Sequence, residues 1–508
     1  NRTRIMNTKK LQCLIVGTMF LGINLGSVGT VHGESFIVTK AGSTKSSSTT
    51  TTSTKAVGTK ATSTTSKSKV SSTITKTKST NSSTKSKVKS KKDTKSTKVT
   101  KNTKQGTIKP KSSTSITNSS AVKQGTTPNI RVLLGSRKSP TTIKSGTNMT
   151  VFKGDDQKVS VIVAGSTGKL SVSGNTIYVN GKAIGPNVLI KPQNPKESFY
   201  LGDKQYRGGL RVFAVGRSST MTLVNAIPLE DYLYGVVPQE VIPSWPAAAL
   251  EAQAVAARTY ALYTMETNKN KDYDVKPSTD YQMYAGRAGE HNATTVAVDK
   301  TKGMVMFYNQ KPINALFHSD GGGYTEDSVN VWGTALPYLK GVKDYSQAPS
   351  TRTWTVTTTR QAMEANLRAA GKGVGTLKSI QLTPLKAQPM ETADRGVSGR
   401  VKSATFIGSD GKVTVDGNAL RSIFGLKSTL FDFYVNHNPN GKDSAKPYHT
   451  FTNKNDTVYI LGHGWGHGLG LSQWGAAEMA KQNGDKDQEY YKKILTHYYS
   501  GININKMY

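Results

Sequence analysis

Glu240 carries a carboxyl group whose apolar neighbours would suit it to proton-transfer chemistry. It follows the apolar pair Val236 and Val237 and is followed by Val241 and Ile242. Poor solvation disfavours the charged form of a carboxyl group and therefore raises its pKa. A carboxylic acid that stays protonated near neutral pH can act as a general acid. We therefore predict a catalytic carboxyl group at Glu240, the alternative being a helix cap or a surface charge.

A glycine-rich stretch near the C-terminus, residues 462–475, holds two histidines and two tryptophans. Tryptophan rings stack on the apolar faces of sugars and exposed amides bond to hydroxyl groups, so this stretch is typical of a carbohydrate-binding loop. His463 and His467 are four residues apart, a spacing that would suit a metal ion on a helix. The glycines exclude a helix here, so the spacing alone does not predict a metal site.

Three glycines, residues 321–323, follow a predicted strand over residues 303–319. Glycines at this position would let the backbone approach a ligand closely. His318 lies at the end of that strand. For this histidine a structural, hydrogen-bonded role and a catalytic role both stay open.

Arg258 is the exception in an otherwise apolar predicted helix over residues 247–265, which is rich in alanine and contains no glycine or proline. The small side chains predict that another backbone packs closely against this helix. A guanidinium group there needs a partner, because burying an unpaired charge is costly. That partner is either a substrate group or a structural ion-pair network that includes Glu251, seven residues earlier on nearly the same face.

These candidate residues must be positioned by a fold that mixes strands and helices. Between residues 129 and 223, short β-branched runs alternate with glycine and Asn-Gly turns, a pattern that predicts antiparallel strands. A short helical piece is expected from Leu229, and Pro246 suits the first turn of the alanine-rich helix. Glu240 should then lie between the end of a strand and the start of a helix.

The C-terminal part is predicted to end in a pair of helices. Ser472 suits the N-cap of the first, and Gly501 suits the C-terminal stop of the second. The fold class is therefore α+β: antiparallel strand meanders packed with the alanine-rich helix and with C-terminal helices.

Residues 1–33 are predicted to be a secretory signal peptide or an uncleaved membrane anchor. A basic start precedes an uncharged apolar run over residues 11–33. Export would place the protein outside the cell or in the wall. Cys13 is the single cysteine of the 508 residues, which excludes a disulfide framework.

Residues 34–127 are predicted to form a disordered linker rich in Ser, Thr and Lys. From Lys40 to Thr126 the chain has 20 lysines, one acidic residue and no aromatic residue, and this stretch holds more than half of the formal net charge of +36. Such a segment cannot offset its conformational entropy by burying apolar surface. It is either a spacer or a polycation that attracts polyanions such as teichoic acids. Nucleic acid is not expected, because no aromatic residues are interleaved for base stacking.

Five blocks in the remaining chain, taken together, resemble the stage II sporulation protein D family, which includes the amidase enhancer LytB. They are residues 227–240, 252–260, 282–286, 317–326 and 466–476. The resemblance covers roughly residues 128–505 and implies one family domain over 128–508, with a β-rich part at 128–225 and a catalytic part at 226–508.

The resemblance implies a lytic transglycosylase that cuts peptidoglycan glycan strands between N-acetylmuramic acid and N-acetylglucosamine and leaves a 1,6-anhydro end. It implies that Glu240 is the catalytic acid. A hydrolase would need a second carboxylate, whereas here the C6 hydroxyl of the sugar attacks and one glutamate can serve as acid and then as base. The matching blocks imply substrate contacts from Gln253, Arg258, Tyr260, Gln282, Tyr284, His318, Ser319, Gly321, Gly322, His467, Ser472 and Gln473.

The sequence departs from the family pattern at Ala248, where the family has a glutamate, at Glu251 and near Gln282. Glu251 stands where the family commonly has lysine, which would weaken binding of an acidic muramyl group. Some members bind zinc through Cys and His near the block that begins at Gln282, but no cysteine is present there, so we expect no metal and no other cofactor. A second function stays open: a non-catalytic wall-binding module that enhances a partner amidase.

Overall fold

The computed structural model describes residues 125–216, 219–348, 352–440, 447–484 and 486–508. The predicted signal segment and nearly all of the predicted linker lie outside the described residues. In the described part of the chain, no helix has both the length and the apolar character to span a bilayer.

Two six-stranded antiparallel sheets form the N-terminal part, as the alternating pattern predicts. The strands are β1 (Asn129–Arg137), β2 (Thr141–Ser145), β3 (Met149–Lys153), β4 (Gln157–Ile162), β5 (Thr167–Ser173), β6 (Thr176–Val179), β7 (Lys182–Gly185), β8 (Asn187–Pro192), β9 (Phe199–Leu201), β10 (Lys204–Tyr206), β11 (Gly209–Val215) and β12 (Thr220–Pro228). The strand orders of the two sheets are β1-β12-β11-β8-β3-β4 and β10-β9-β2-β5-β6-β7, and their apolar residues join one hydrophobic core.

Two helices follow β12 in the chain. Helix α1 (Leu229–Glu240) starts directly after β12, and α2 (Ala247–Thr267) starts after Pro246, as expected. Alanines on α2 are buried in two different hydrophobic clusters, because their small side chains let neighbours approach from both sides. The expected setting of Glu240 was wrong: it is the last residue of the continuous helix α1 and lies between two helices.

The predicted strand over residues 303–319 is in fact three short strands. Asn309 and Gln310 both have positive φ, at 49° and 62°, and turn the chain between β13 (Met304–Tyr308) and β14 (Lys311–Pro312). Asparagine tolerates this conformation, which a pattern of apolar residues does not reveal. Helix α3 (Asn292–Lys300) precedes this hairpin, and β15 (Phe317–His318) and α4 (Ser328–Trp332) follow it.

The C-terminal half carries two three-stranded sheets and a short parallel pair. The elements are β16 (Trp354–Thr359), α5 (Arg360–Ala369), β17 (Leu377–Gln381), β18 (Ser403–Gly408), β19 (Gly411–Asp416), α6 (Gly417–Ile423), β20 (Phe431–Val435), β21 (Thr457–Gly462), β22 (Leu471–Ser472), α7 (Gln473–Asn483), α8 (Tyr490–Tyr498) and β23 (Asn503–Lys506). The sheet orders are β16-β21-β20 and β17-β18-β19, and β15 pairs with β22 so that His318 lies opposite Ser472. Ser472 caps α7, as predicted, by accepting a hydrogen bond from the Gly475 amide.

Candidate active site

Glu240 lies at the C-terminal end of α1 and is only 8% exposed. One carboxylate oxygen, Oε1, accepts a hydrogen bond from the backbone amide of Met283 at 3.0 Å, and the side chain of Gln473 also hydrogen-bonds to the carboxyl group. Burial raises the pKa of Glu240 to about 7, although these two hydrogen bonds act in the opposite direction. The negative end of the α1 dipole also disfavours a carboxylate at this place. Near neutral pH the carboxyl group of Glu240 is therefore present in both its protonated and its ionised form.

The loop that brings the Met283 amide to Glu240 is fixed by Gln282. Its Nε2 donates to the carbonyl of Ala257 on α2 at 3.0 Å, and its Oε1 accepts from the hydroxyl of Tyr232 on α1 at 3.1 Å. Gln282 is completely buried. Its side chain therefore supports the carboxyl-binding loop rather than facing a substrate, contrary to the implied role.

Gln473 links Glu240 to a second amide. It is the first residue of α7, and its Nε2 lies 3.4 Å from Oε1 of Gln253 on α2. The Nε2 of Gln253 is buried and has no hydrogen-bond partner among the described residues. A buried donor without a partner is costly, so this group has the capacity for one further hydrogen bond in the neighbourhood of Gln473 and Glu240. The three side chains expected here from separate blocks do come together.

Tyr260 completes the face of α2 that looks toward Glu240. It follows Gln253 by seven residues, two helical turns, and therefore lies on the same face. Burial raises the pKa of Tyr260, and the nearby charges of Tyr281 and Glu240 add to this effect. Its ring centre lies 6.4 Å from that of Phe317 on β15. The tyrosine is thus a neutral hydroxyl donor beside the candidate acid.

The opposite face of α2 packs inside the protein. This position decides between a substrate contact and an internal ion pair for Arg258. All five N–H groups of Arg258 are used: two bond to Glu230 at 2.8 and 2.7 Å, and the others bond to Thr301 and to backbone carbonyls. Arg258 is fully buried. No donor is left for a substrate, so the implied contact is corrected to an internal ion pair.

Glu251 also lies on this structural face and pairs with Lys300 of α3, at 2.8 Å between Nζ and Oε1. It does not pair with Arg258, as the proposed network would have required. Gln253 is two residues further along α2 and therefore points to the other side of the helix. The acidic residue in place of the family's lysine thus lies away from the face that holds Gln253.

Tyr284 is likewise part of the core. Its hydroxyl donates to Oδ1 of Asn225 at 2.8 Å, and its ring centre lies 5.1 Å from that of Tyr232. Gly235 faces this ring so closely that a Cβ there would lie 2.7 Å from a ring carbon. The implied substrate contact of Tyr284 is therefore replaced by a packing role between α1 and the N-terminal sheets.

The remaining implied residues form a second cluster around the β15–β22 pair, in which His318 lies opposite Ser472. Nδ1 of His318 lies 3.1 Å from the carbonyl of Leu469, so this nitrogen carries the proton. His467 lies beside it, with 5.5 Å between ring centres, and accepts from the Leu469 amide at 3.0 Å. Burial is the main cause that lowers the pKa of His318 well below its usual range and that of His467 to about 3. Both rings are therefore neutral at physiological pH.

Asp344, which the sequence analysis missed, organises the glycine residues of this cluster. Its carboxylate accepts hydrogen bonds from the amide of Gly321 at 2.9 Å, from the hydroxyl of Ser472 at 3.1 Å and from that of Tyr498 at 2.7 Å. A Cβ on Gly321 would lie 2.4 Å from this carboxylate. No local motif marks Asp344, because its partners come from three distant segments. Close packing, rather than approach to a ligand, thus explains this glycine.

Ser319 and Gly322 also hold the loops together. The carbonyl of Ser319 accepts from the amide of Trp474 at 3.1 Å. A Cβ on Gly322 would lie 2.9 Å from Leu430 and 3.1 Å from the amide of Gly464. Backbone contacts of this kind position the start of α7, and with it Gln473, against the candidate acid.

Two tryptophans border the site next to the polar residues. Trp245 lies five residues after Glu240, Trp474 follows Gln473, and their rings meet edge to face with centres 4.9 Å apart. Both are partly exposed, whereas Trp465 of the glycine-rich stretch is buried. The partly exposed pair is thus an aromatic surface near Glu240 that a sugar could reach. Trp245 was missed because the block around it carries no glycine-rich signature.

The contact between Gln473 and Glu240 leads to a testable prediction. Replacing Gln473 by Ala removes a hydrogen bond that favours the carboxylate, so the pKa of Glu240 should rise further. We expect the alkaline limb of a pH–activity profile to move to higher pH, with a loss of activity of roughly tenfold. Gln482→Ala, at the exposed end of α7, is the matched control and should leave the profile unchanged. An unshifted Gln473→Ala profile would contradict the assigned contact.

The chain is similar in sequence to one described protein family and to several known proteins. Residues 217–308 match the family described as stage II sporulation protein, and residues 338–470 match a domain of unknown function. An uncharacterised protein of Brachyspira hyodysenteriae is 34% identical over 61% of this chain and 74% of its own length. Stage II sporulation protein D of Bacillus subtilis is 31% identical over 58% of this chain and 78% of its own. The amidase enhancer of Bacillus subtilis is 30% identical over 67% of this chain, which spans half of that longer protein.

Proposed function

Because the chain belongs to the stage II sporulation protein D family, we propose that it is a lytic transglycosylase that cuts the glycan strands of peptidoglycan. The names of the relatives support a function in the cell wall and in sporulation. The main support for the transglycosylase reaction is the buried carboxyl group of Glu240. Its pKa is raised to about 7, and amide groups surround it.

The proposed reaction uses Glu240 twice. Its protonated form donates a hydrogen to the glycosidic oxygen as the bond to C1 of N-acetylmuramic acid breaks. The resulting carboxylate then takes the proton of the C6 hydroxyl as that oxygen bonds to C1 and closes the 1,6-anhydro ring. The atoms balance without water, and the glutamate ends protonated, as it began. A pKa near 7 suits a group that must both give and take a proton at physiological pH.

The groups around Glu240 would bind and orient the glycan strand in this reaction. The free N–H of Gln253 is placed to bind a carbonyl or hydroxyl oxygen of the substrate, and Tyr260 can supply a second donor. The edges of Trp245 and Trp474 offer apolar surface to a sugar ring. These contacts would hold the glycosidic bond beside Glu240, and orientation of this kind contributes strongly to rate.

The pKa of Glu240 leads to a prediction about pH. The acid must be protonated to act, so kcat/KM on peptide-free glycan should be high below pH 7 and fall about tenfold per pH unit above it. The rate of appearance of anhydro-disaccharides between about pH 5 and 9 tests this. A midpoint near the ordinary glutamate value, or a flat profile, would mean that the buried carboxyl group is not the acid.

The second candidate function is favoured by one observation, the similarity to a protein named amidase enhancer. In that case the same surface would bind glycan strands without cutting them and would increase the activity of a partner amidase. The two candidates separate in one assay: purified glycan is either cut by the protein alone, or bound intact while an added wall amidase becomes faster.

Export to the wall is part of the proposal. The basic, apolar N-terminal stretch would direct secretion, and the Lys-rich linker would reach teichoic acids or act as a spacer. Both segments lie at residues 1–127, almost wholly outside the described residues, so these roles rest on the sequence.

A further inference from the structure

Beyond the predicted linker, the positive charge of the chain is concentrated in the β-rich part. Residues 129–228 contain 14 Lys and Arg against 4 Asp and Glu, a formal net charge of +10. Residues 229–508 form a much longer stretch, yet they contain 30 basic against 26 acidic residues, a net charge of +4. So uneven a distribution surrounds the two six-stranded sheets with a positive field, and such a field attracts polyanions.

The lysines, rather than the arginines, leave this charge unneutralised. Three arginines of residues 129–228 pair with carboxylates. The lysines of this stretch are all exposed, and none lies within ion-pair distance of a carboxylate in the described part of the chain. In the C-terminal part, by contrast, seven lysines do pair with carboxylates. The exposed, unpaired lysines are Lys138, Lys144, Lys153, Lys158, Lys169, Lys182, Lys191, Lys196 and Lys204.

Two of these lysines share one sheet face with two tyrosines. Lys144 on β2 and Lys169 on β5 point outward, because side chains alternate along a strand and the residues on either side of each lysine are buried. Lys144 lies directly opposite Tyr200 on β9, and Lys169 is the diagonal neighbour of both Lys144 and Tyr178 on β6. Diagonal neighbours are about 7–8 Å apart. The four residues form a stripe across four strands, which we call the tyrosine–lysine face.

The tyrosine–lysine face offers positive charge and hydroxyl groups but no acidic group. None of the six strands of its sheet contains Asp or Glu. The hydroxyl groups of Tyr178 and Tyr200 make no hydrogen bond to any residue that the structure describes, so both are available as donors. The separation of the two lysines is no larger than the Debye length at physiological salt, about 8 Å, so they can attract one polyanion together.

The ring of Tyr200 helps to decide which kind of polyanion suits this face. The ammonium group of Lys144 lies over that ring, 5.4 Å from its centre, and the ring is partly buried. Nucleic-acid bases and sugar rings bind by stacking on open aromatic rings, and this ring is covered. Ammonium groups bind phosphates as point charges. A polymer of phosphodiesters joined by flexible polyols needs charge and hydroxyl donors but no ring to stack on.

The distribution of lysines over both sheets favours a flexible polymer over a flat membrane. Lys191 on β8 belongs to the other six-stranded sheet and points outward, since its neighbour Ile190 lies in the core. The inner faces of both sheets join that core, so their outer faces point to opposite sides. A bilayer would meet one of these faces, whereas a flexible chain can follow both.

We propose that the tyrosine–lysine face binds a polyol-phosphate polymer, with Lys144 and Lys169 contacting successive phosphates and Tyr178 and Tyr200 donating hydrogen bonds to them. The choice of a wall polymer rests on the proposed export, and binding does not involve Glu240. Such a polymer differs from the glycan substrate, whose peptide-free form carries one carboxylate per disaccharide and therefore more widely spaced charges. The face would hold the protein on the wall while the candidate active site stays open to glycan.

Lysine acylation followed by mass spectrometry tests the proposal on the full chain, because it reports each lysine separately. We expect poly(glycerol phosphate) to slow the acylation of Lys144 and Lys169 at least about threefold at low salt, and roughly 0.5 M salt should remove this protection. Lys311 and Lys412 are exposed lysines of the C-terminal part and serve as internal controls. Equal protection of all four lysines, or none, would overturn the proposal.

Other polyanions test the choice of ligand in the same assay. A single-stranded DNA oligonucleotide and vesicles with anionic lipids carry phosphodiesters from two different sources. If either protects Lys144 and Lys169 while poly(glycerol phosphate) does not, the assigned ligand is wrong. Stronger protection by poly(glycerol phosphate) than by both would support it.

A pair of double variants separates this face from general attraction between charges. Lys144→Gln with Lys169→Gln should lower the affinity for poly(glycerol phosphate) roughly tenfold and reduce the slope of log K against log salt by about 1 to 2. Lys311→Gln with Lys412→Gln removes the same charge from the same full chain and should change the affinity less than about twofold. Equal losses in both double variants would contradict a binding face on the β-rich part.

The outcome is separable from that of the proposed reaction. Glu240→Gln should keep the protection of Lys144 and Lys169, because Glu240 is not part of the tyrosine–lysine face. Glycan cleavage without this protection would refute the face alone. Protection without cleavage would refute the reaction alone.

Discussion

Glu240→Gln should reduce the release of 1,6-anhydro products from peptide-free glycan by about 100- to 10,000-fold, the usual contribution of a general acid. Glutamine has the same shape and can still accept the hydrogen bond from the Met283 amide. It cannot give a proton to the glycosidic oxygen. A loss of this size corresponds to about 3 to 5 kcal/mol of transition-state stabilisation. Product release from purified glycan, followed by mass spectrometry, measures it.

The matched control is Glu266→Gln near the end of α2. Glu266 is an exposed glutamate that pairs with Lys269 on the surface. The Glu266→Gln variant should keep full activity, because exposed ion pairs contribute little to stability. If Glu240→Gln cuts glycan as fast as the wild-type chain does, Glu240 is not the acid. If neither the wild-type chain nor Glu240→Gln cuts glycan while both bind it, the enhancer function is correct.

Arg258→Met should lower the free energy of unfolding by about 3 to 5 kcal/mol, because it leaves the carboxylate of Glu230 buried without its charged partner. Glu230 also accepts hydrogen bonds from Tyr508 at 2.6 Å and from the amide of Gly303 at 3.3 Å. The ion pair therefore joins α1 and α2 to the C-terminal end of the chain. Urea unfolding followed by tryptophan fluorescence measures the change.

Two further variants show whether charge is the cause. Arg368→Met, at an exposed position near the end of α5, should change stability by less than about 0.5 kcal/mol. Adding Glu230→Gln to Arg258→Met should recover part of the loss, because no unpaired charge then remains. If the Arg258→Met protein is stable and has lost only glycan binding, Arg258 contacts the substrate and the ion-pair interpretation is wrong.

Much of the fold follows from local patterns in the sequence. The β-branched runs and turns of the N-terminal part, the alanine-rich helix after Pro246 and the capping role of Ser472 are all present as predicted. These features depend on neighbours in the sequence, which is why they can be read from it. The hairpin at Asn309 was missed because apolar residues occur before the turn, at Met304–Tyr308, and again from Ile313, a pattern that resembles one continuous strand.

The site was only partly predictable, because burial decides the role of each polar residue. Glu240, Gln253 and Gln473 meet although they are far apart in the chain. Arg258 and Tyr284 belong to similar blocks but face internal partners. Whether a helical residue faces the core or the site depends on what packs against the helix. The periodicity of the sequence alone does not reveal which elements pack there. Asp344 shows the same limit, since all its partners come from distant segments.

The most direct test of the account is the chemical identity of the new glycan end formed in water enriched in ¹⁸O. If Glu240 assists attack by the C6 hydroxyl, the wild-type chain will release muramyl ends that are lighter by one water and carry no ¹⁸O. Ends that have gained a solvent oxygen would show hydrolysis, and an uncut glycan would show that the buried acid performs no cleavage at all.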